Sequence, residues 1–354
     1  MTDLERMIDA YPNLKWRWDI LARNPNITFE FADSHPELPW ELLRTNRNLT
    51  ITYLMSHLDR DWDWSKLTAH PGIKIEDIEQ HPELPWDYKT ILYNRNMTSD
   101  HLMKYIDKEP PTFEPLEIGG NLKFNFPACS MEYVKAHPEI NWFYLGISDH
   151  PGIKMEDIEQ NLDLPWRWND VSRNPNITAK FVMDHMDMPW DWITLSLNKG
   201  ITMEDIETYI DGPWNWKFLS SNPNLTLEFI LKHSDKDWIW RAISMDANIT
   251  PEDIISHPEL PWDWEWLCWN SNFTIQVIEH FPDKKWDMKR ISRHANITMD
   301  DISRHPELEW SYQDISGNPN LTFEFFQQNQ DKPWDLHSLS CNNFNANKAS
   351  FYHI

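Results

Sequence analysis

A tryptophan, preceded in most instances by proline or a charged residue, returns along this chain at one fixed interval. That interval constrains the fold more than any motif does. It stands at Trp142, Trp166, Trp190, Trp214, Trp238, Trp262, Trp286, Trp310 and Trp334, 24 residues apart each time. Upstream it stands at Trp16, Trp40, Trp62 and Trp86, where one interval is two residues short. The gap of 56 between Trp86 and Trp142 reads as two units, one of them degenerate and carrying extra residues around "KEPPTFEPLEIGG". A unit of 24 residues cannot bury its own aromatics. Stacked on its neighbours it can, and the core then runs along the stack. A buried Trp removes up to about 150–250 Å² from water, worth several kcal/mol at about 25 cal/mol per Å². The thirteen tryptophans named above are therefore expected to form a structural core ladder.

Each unit reads in two halves. The first opens at a threonine, as in "TMEDIETYI" from Thr202, "TLEFILKHS" from Thr226 and "TPEDIISHP" from Thr250. Thr is a favoured N-cap, and acids in the first turn suit the helix dipole. Thr202 with Asp205, and Thr298 with Asp301, approximate a capping box. Apolar residues one and four past the Thr give a short helix one buried face. The second half opens at "PWDW", where Pro and Asp suit a first turn, and a second short helix follows, partly 3-10 in character. "NPN" then turns the chain through Asn side chains that bond nearby backbone. Proline interrupts every candidate strand.

A slower rhythm overlies the first. Three residues past the cap position stand Tyr133, Asp157, Phe181, Asp205, Phe229, Asp253, Val277, Asp301 and Phe325, aromatic or apolar alternating with acid. The duplicating unit thus spans 48 residues. The expected architecture is an all-α solenoid of about fourteen repeats over residues 1–354. N-terminal repeats fill 1–109, a degenerate repeat with an insertion 110–130, and regular repeats 131–340. Residues 341–354 form a cap or tail, "CNNFNANKASFYHI", where the repeat breaks and the stack ends open.

The phrase "SRNPNIT", followed by a short helix, a Pro-containing turn and a second short helix, resembles the leucine-rich variant repeat. The best matches are Asn24–Thr28, Asn174–Thr178, Asn222–Thr226 and Asn318–Thr322. The resemblance implies a right-handed superhelix alternating α and 3-10 helices. The chain departs from that family in carrying Trp and Tyr where it prefers Val and Leu. It also lacks a cysteine cluster of the iron–sulfur kind before the repeats. The Trp-rich wording is similar to tandem-repeat proteins of giant DNA viruses of amoebae, which implies an intracellular or virion setting and no assigned activity.

The formal net charge is −24. That disfavours nucleic acid and anionic membrane as partners, since both call for a basic face. The 22 Trp argue against disorder, and 8 Gly leave no glycine-rich linker. Cys129, Cys268 and Cys341 lie far apart, without C-x-x-C, so neither a disulfide framework nor a zinc site is expected. No signal-peptide pattern opens the sequence and no apolar run reaches spanning length. The recurring Asn-x-Thr reads as turn and cap chemistry rather than glycosylation. His35, His81, His257 and His305 all sit in "HPEL" and read as turn residues, not metal ligands. No P-loop, GxSxG or GxGxxG occurs, and no cofactor is expected.

Two acid rows remain as candidate binding surfaces. Asp63, Asp87, Asp191, Asp263, Asp287 and Asp335 follow the repeating Trp directly, and Asp157, Asp205, Asp253 and Asp301 recur in alternate units. The plainer reading of both is service at helix N-termini. The expected function is a non-catalytic scaffold that binds a protein partner, basic in character, through an extended acidic surface. The alternative is a virion or filament component that self-associates. The expected location is the intracellular space or a virion, not the secreted one.

Overall fold

The computed structural model describes residues 1–91, 94–97, 101, 130–136, 146–342 and 344. Every regular element among them is a helix. The fold is an all-α repeat solenoid. Trp142 and the degenerate segment 110–129 lie outside the described residues.

A typical repeat carries a first helix such as Met203–Thr208 and a second such as Trp216–Leu219. Thr28, Thr178, Thr202, Thr226, Thr250, Thr298 and Thr322 each accept the backbone N–H three residues on, which fixes where the first helix starts. The second helix is one to one-and-a-half α-turns, tightened by i−3 bonds at its end (Ser221 N–H to Phe218 O, 2.9 Å). One second-half element, Ile147–Asp149, is a 3-10 helix. Between the two helices the indole N–H of the repeating Trp donates to the carbonyl at the end of the first helix: Trp214 to Tyr209 O and Trp262 to His257 O, both 2.8 Å. That bond lets the ring turn inward without orphaning its one polar atom.

Repeats are joined by an asparagine ladder. Asn222 Nδ2 donates to Ser196 O (2.8 Å) and Asn198 O (3.3 Å) of the preceding repeat. Its Oδ1 accepts Asn224 N–H at 2.8 Å and so closes the turn. Asn174, Asn198, Asn318 and Asn342 repeat this pattern. A buried serine adds a second rung: Ser196 Oγ accepts Asn215 N–H (2.9 Å), and Ser220 Oγ accepts Ile239 N–H (2.8 Å). The second Asn of each "NxN", in the Asn-x-Thr phrase, donates to carbonyls one repeat back, as Asn176 does to Pro151 O (2.7 Å) and Ile153 O (2.9 Å).

The chain divides into two compact units. One is Met1–Asn96, Ile254–Ser256 and Asp263–Ile354; the other is Met97–Asp253 and His257–Trp262. Within the first, the expectation of an open C-terminal end is overturned. The helix Trp18–Leu21 packs on Leu336–Cys341, and Asp3–Ala10 on Phe323–Gln328. Asn24 Nδ2 donates to Ser340 O (2.7 Å) and Asn342 O (3.0 Å), so the first repeat stands on the last as any repeat stands on its predecessor. The reason is chemical. The last repeat offers the same unsatisfied carbonyls as every other, and buried carbonyls need a donor.

Candidate functional site: the acidic turns

Of the twelve ladder tryptophans among the described residues, eight are buried: Trp16, Trp62, Trp86, Trp166, Trp190, Trp214, Trp238 and Trp262. Trp286, Trp310 and Trp334 are half-buried in the same position, each with its indole N–H bonded five residues back. Trp40 occupies a different position. It begins the helix Trp40–Leu43, and its Nε1 is buried without a partner. Its ring meets Trp62 edge-on at 4.8 Å, just as Trp64 meets Trp86 at 5.2 Å and Trp168 meets Trp190 at 5.1 Å. Trp40 is therefore the second aromatic of its repeat. The two missing residues are the proline and the core tryptophan, and Leu38, two residues before Trp40, is buried.

Both acid rows singled out from the sequence are tied to helix starts. Asp63, Asp191, Asp263, Asp287 and Asp335 are N-caps of second helices. Asp87 accepts Lys89 N–H at 3.1 Å. Asp191 accepts Ile193 and Thr194 N–H (3.1 and 3.2 Å) and the Thr194 hydroxyl (2.7 Å). The Thr194 hydroxyl bond first, and those backbone donors after it, hold its carboxyl below the usual aspartate range despite partial burial. Asp205, Asp253 and Asp301 accept both the N–H and the hydroxyl of the capping Thr at 2.7–2.9 Å. Asp157 accepts Lys154 N–H at 2.9 Å. Asp301 is itself buried and paired with Arg304. Of the ten, only Asp287 is exposed.

A third row escaped the sequence reading. It lies in the turn between the two helices, two residues past the position whose carbonyl receives the indole N–H in the repeats other than that of Trp40. In the first unit it comprises Glu37, Asp59, Glu83, Asp283, Glu307 and Asp331; in the second, Asp163, Asp187, Asp211, Asp235 and Glu259. All eleven are exposed. The signal was present, since an acid stands three residues before every one of the repeating tryptophans from Trp40 on that the described residues include. It was hidden by two different phrases, "HPEL" and "SDKD". Some members have local company. Asp235 pairs with Lys236 at 3.1 Å, and Glu83, Glu259 and Glu307 with the histidine two residues before. For those three glutamates their own backbone N–H, then the imidazole, holds the carboxyl below its ordinary value. They stay anionic at neutral pH.

In the second unit Asp163, Asp187 and Asp211 make no ion pair with any described residue. Each is preceded by an exposed apolar residue: Leu162, Met186 and Ile210, 38%, 50% and 37% exposed. Scattered exposed aliphatics are ordinary, but three at one position in consecutive repeats make a strip. Many of the cations lie on the second helices instead, among them Lys66, Lys217, Arg241, Lys289 and Arg290.

The "HPEL" histidines are turn residues. His35 Nδ1 bonds Phe31 O at 2.9 Å, and Nε2 faces Asp9 one repeat back at 3.2 Å. His81 and His257 face glutamate two residues on, and His305 reaches Glu279 of the preceding repeat at 3.1 Å. Cys268 is buried in the core, where burial pushes its thiol up to about 11.

This geometry defines a class: a helical repeat protein whose interior is a ladder and whose turns carry a regular acid face. No protein-family model matches the chain, and neither a curated protein nor a solved structure matches it.

Proposed function

We propose that the protein is a non-catalytic scaffold that holds a basic protein segment along its acidic turns. The observation that carries this reading is the exposed acid at one turn position in each described repeat from Glu37 on, set beside an apolar strip in the second unit. A periodic row of like charges attracts a chain of opposite charge at many points, and steers its approach. The strip Leu162, Met186 and Ile210 adds a requirement that the partner carry apolar side chains between its cations. The same acids repel phosphates, so nucleic acid is disfavoured. No helix among the described residues is long and apolar enough to cross a membrane. An intracellular or particle-borne setting accords with two free cysteines, Cys268 and Cys341.

The test is fluorescence anisotropy with a labelled Lys- and Leu-containing peptide, its Glu-for-Lys counterpart and a DNA duplex, at low and at about 0.15 M salt. The reading expects binding of the basic peptide alone, weakening as salt rises. Equal binding of the acidic peptide or of DNA contradicts it.

A further inference from the structure

The seam between the two ends of the chain is made of ordinary repeat-to-repeat chemistry. Asn24 reaches Ser340 O and Asn342 O at 2.7 and 3.0 Å, as Asn46 reaches Ala22 O and Asn24 O at 3.0 and 2.9 Å. Arg17 N–H faces Ser340 Oγ at 3.4 Å, where Asp335 N–H faces Ser316 Oγ at 2.9 Å. The slow rhythm also continues across it. The aromatic Phe325 of the last first-helix is followed by the acid Glu5 of the initial one, buried and bonded to Thr2 and Thr28. Contacts peculiar to the ends are added: Arg6 to Glu324 at 2.8 Å, Arg6 over the Phe323 ring at 4.3 Å, and Tyr11 edge-on to Phe326 at 5.4 Å.

In one respect the seam differs from the junctions just compared. Those join residues about one repeat apart, so the chain itself holds the two sides together. The seam joins residues more than 300 apart, as Arg6 and Glu324 are. Nothing in its bonds distinguishes the chain's own far end from the same end of a second copy. Selection rests on effective concentration, which for a tethered end is on the order of millimolar. We propose that the seam is an exchangeable head-to-tail interface whose partner, once opened, is a second copy of this chain. Two copies then satisfy two seams with the contacts that one copy uses for one. This inference stands apart from the acidic face and survives its failure.

The exposed Arg6–Glu324 pair allows a test that leaves the core untouched. The single variants Arg6→Glu and Glu324→Arg each place like charges across their own seam. In a two-chain species made of one of each, both seams regain opposite charges. The full-length variants, one isotopically labelled, are unfolded in denaturant and refolded separately and together at a concentration on the order of 0.1–1 mM. Native mass spectrometry then reads monomer and dimer composition. The proposal expects dimer to rise with refolding concentration in the wild type. It also expects mixed dimer in the co-refolded sample to outnumber the two like dimers together by at least about threefold, against about one to one for a binomial mixture, since exposed pairs contribute modestly at each seam. Monomer alone at every concentration overturns it. So does a binomial composition, which would place association elsewhere.

Discussion

Asn222 and Asp211 lie eleven residues apart and recur with the same period, yet they do opposite work. Asn222 is fully buried, bonded to two carbonyls of the preceding repeat and to its own turn. Asp211 is exposed and makes no ion pair with any described residue. Recurrence alone does not separate a position kept by packing from one kept by charge. What separates them is the range of residues each admits. The ladder position demands an acceptor for the turn N–H beside it. Where Asn is absent, His70, His150, Asp246 and His294 stand there, each accepting that N–H. The turn position admits Asp or Glu in unlike surroundings, as in Pro-Glu-Leu or Ser-Asp-Lys. Its common factor is charge.

The contrast predicts a graded series. Trp214→Ala removes a buried indole whose N–H is already satisfied, and should cost about 3–5 kcal/mol in urea unfolding. Trp40→Ala, at the half-buried second position with an unpaired indole nitrogen, should cost clearly less; equal costs would mean the short repeat has been misplaced.

His294 sharpens the ladder side by pH. Burial lowers its pKa from 6.5 to about 4, while Nε2 bonds Asn270 O at 3.0 Å and Nδ1 accepts Asn296 N–H at 3.1 Å. Because the folded value is depressed, the unfolded chain takes up the proton first. The contribution is fully present above about pH 6.5 and is lost as pH falls from there towards about 4, by on the order of 3 kcal/mol. His294→Asn restores the residue used in most repeats and should flatten that slope. A slope that persists in the variant assigns it to other groups.

Asn222→Ala removes the donor to the Ser196 carbonyl and the acceptor of Asn224 N–H, while Asn198 O keeps Ile201 N–H at 3.0 Å; it should cost about 2–3 kcal/mol, with neighbouring repeats losing hydrogen-exchange protection together. At the bottom of the scale, Asp163→Asn, Asp187→Asn and Asp211→Asn should each change stability by less than about 0.5 kcal/mol. A larger loss there would make the turn row structural after all.

Much of the interior was legible because its signals are local. Thr caps, the acid at the capping-box position and the Pro-Trp turn each report on their own few residues, and the structure places helices where they point. The short interval before Trp62 misled, because spacing cannot tell which of two tryptophans is missing; only the edge-on contact with Trp62 and the unpaired Trp40 nitrogen do. The seam was illegible for a related reason. Asn24 reads like every other ladder asparagine, and the sequence does not say that its carbonyls belong to Ser340 and Asn342. Of the acid rows first chosen, one follows the repeating tryptophan and so falls at the start of the second helix, and the other falls three residues past the capping position of the first helix; those places are what tie both to helix starts.

The claim that the turns, and not the caps, carry the binding face is tested most directly by one paired measurement. Affinity for the basic peptide is read by anisotropy for the wild type, for the combined Asp163→Asn, Asp187→Asn and Asp211→Asn protein, and for Asp205→Asn. The account predicts about a tenfold loss and a shallower salt dependence in the turn variant, where three exposed charges are removed. It predicts unchanged affinity, with lower thermal stability, in the cap variant. Unchanged affinity in the turn variant together with a tenfold loss in the cap variant would contradict it.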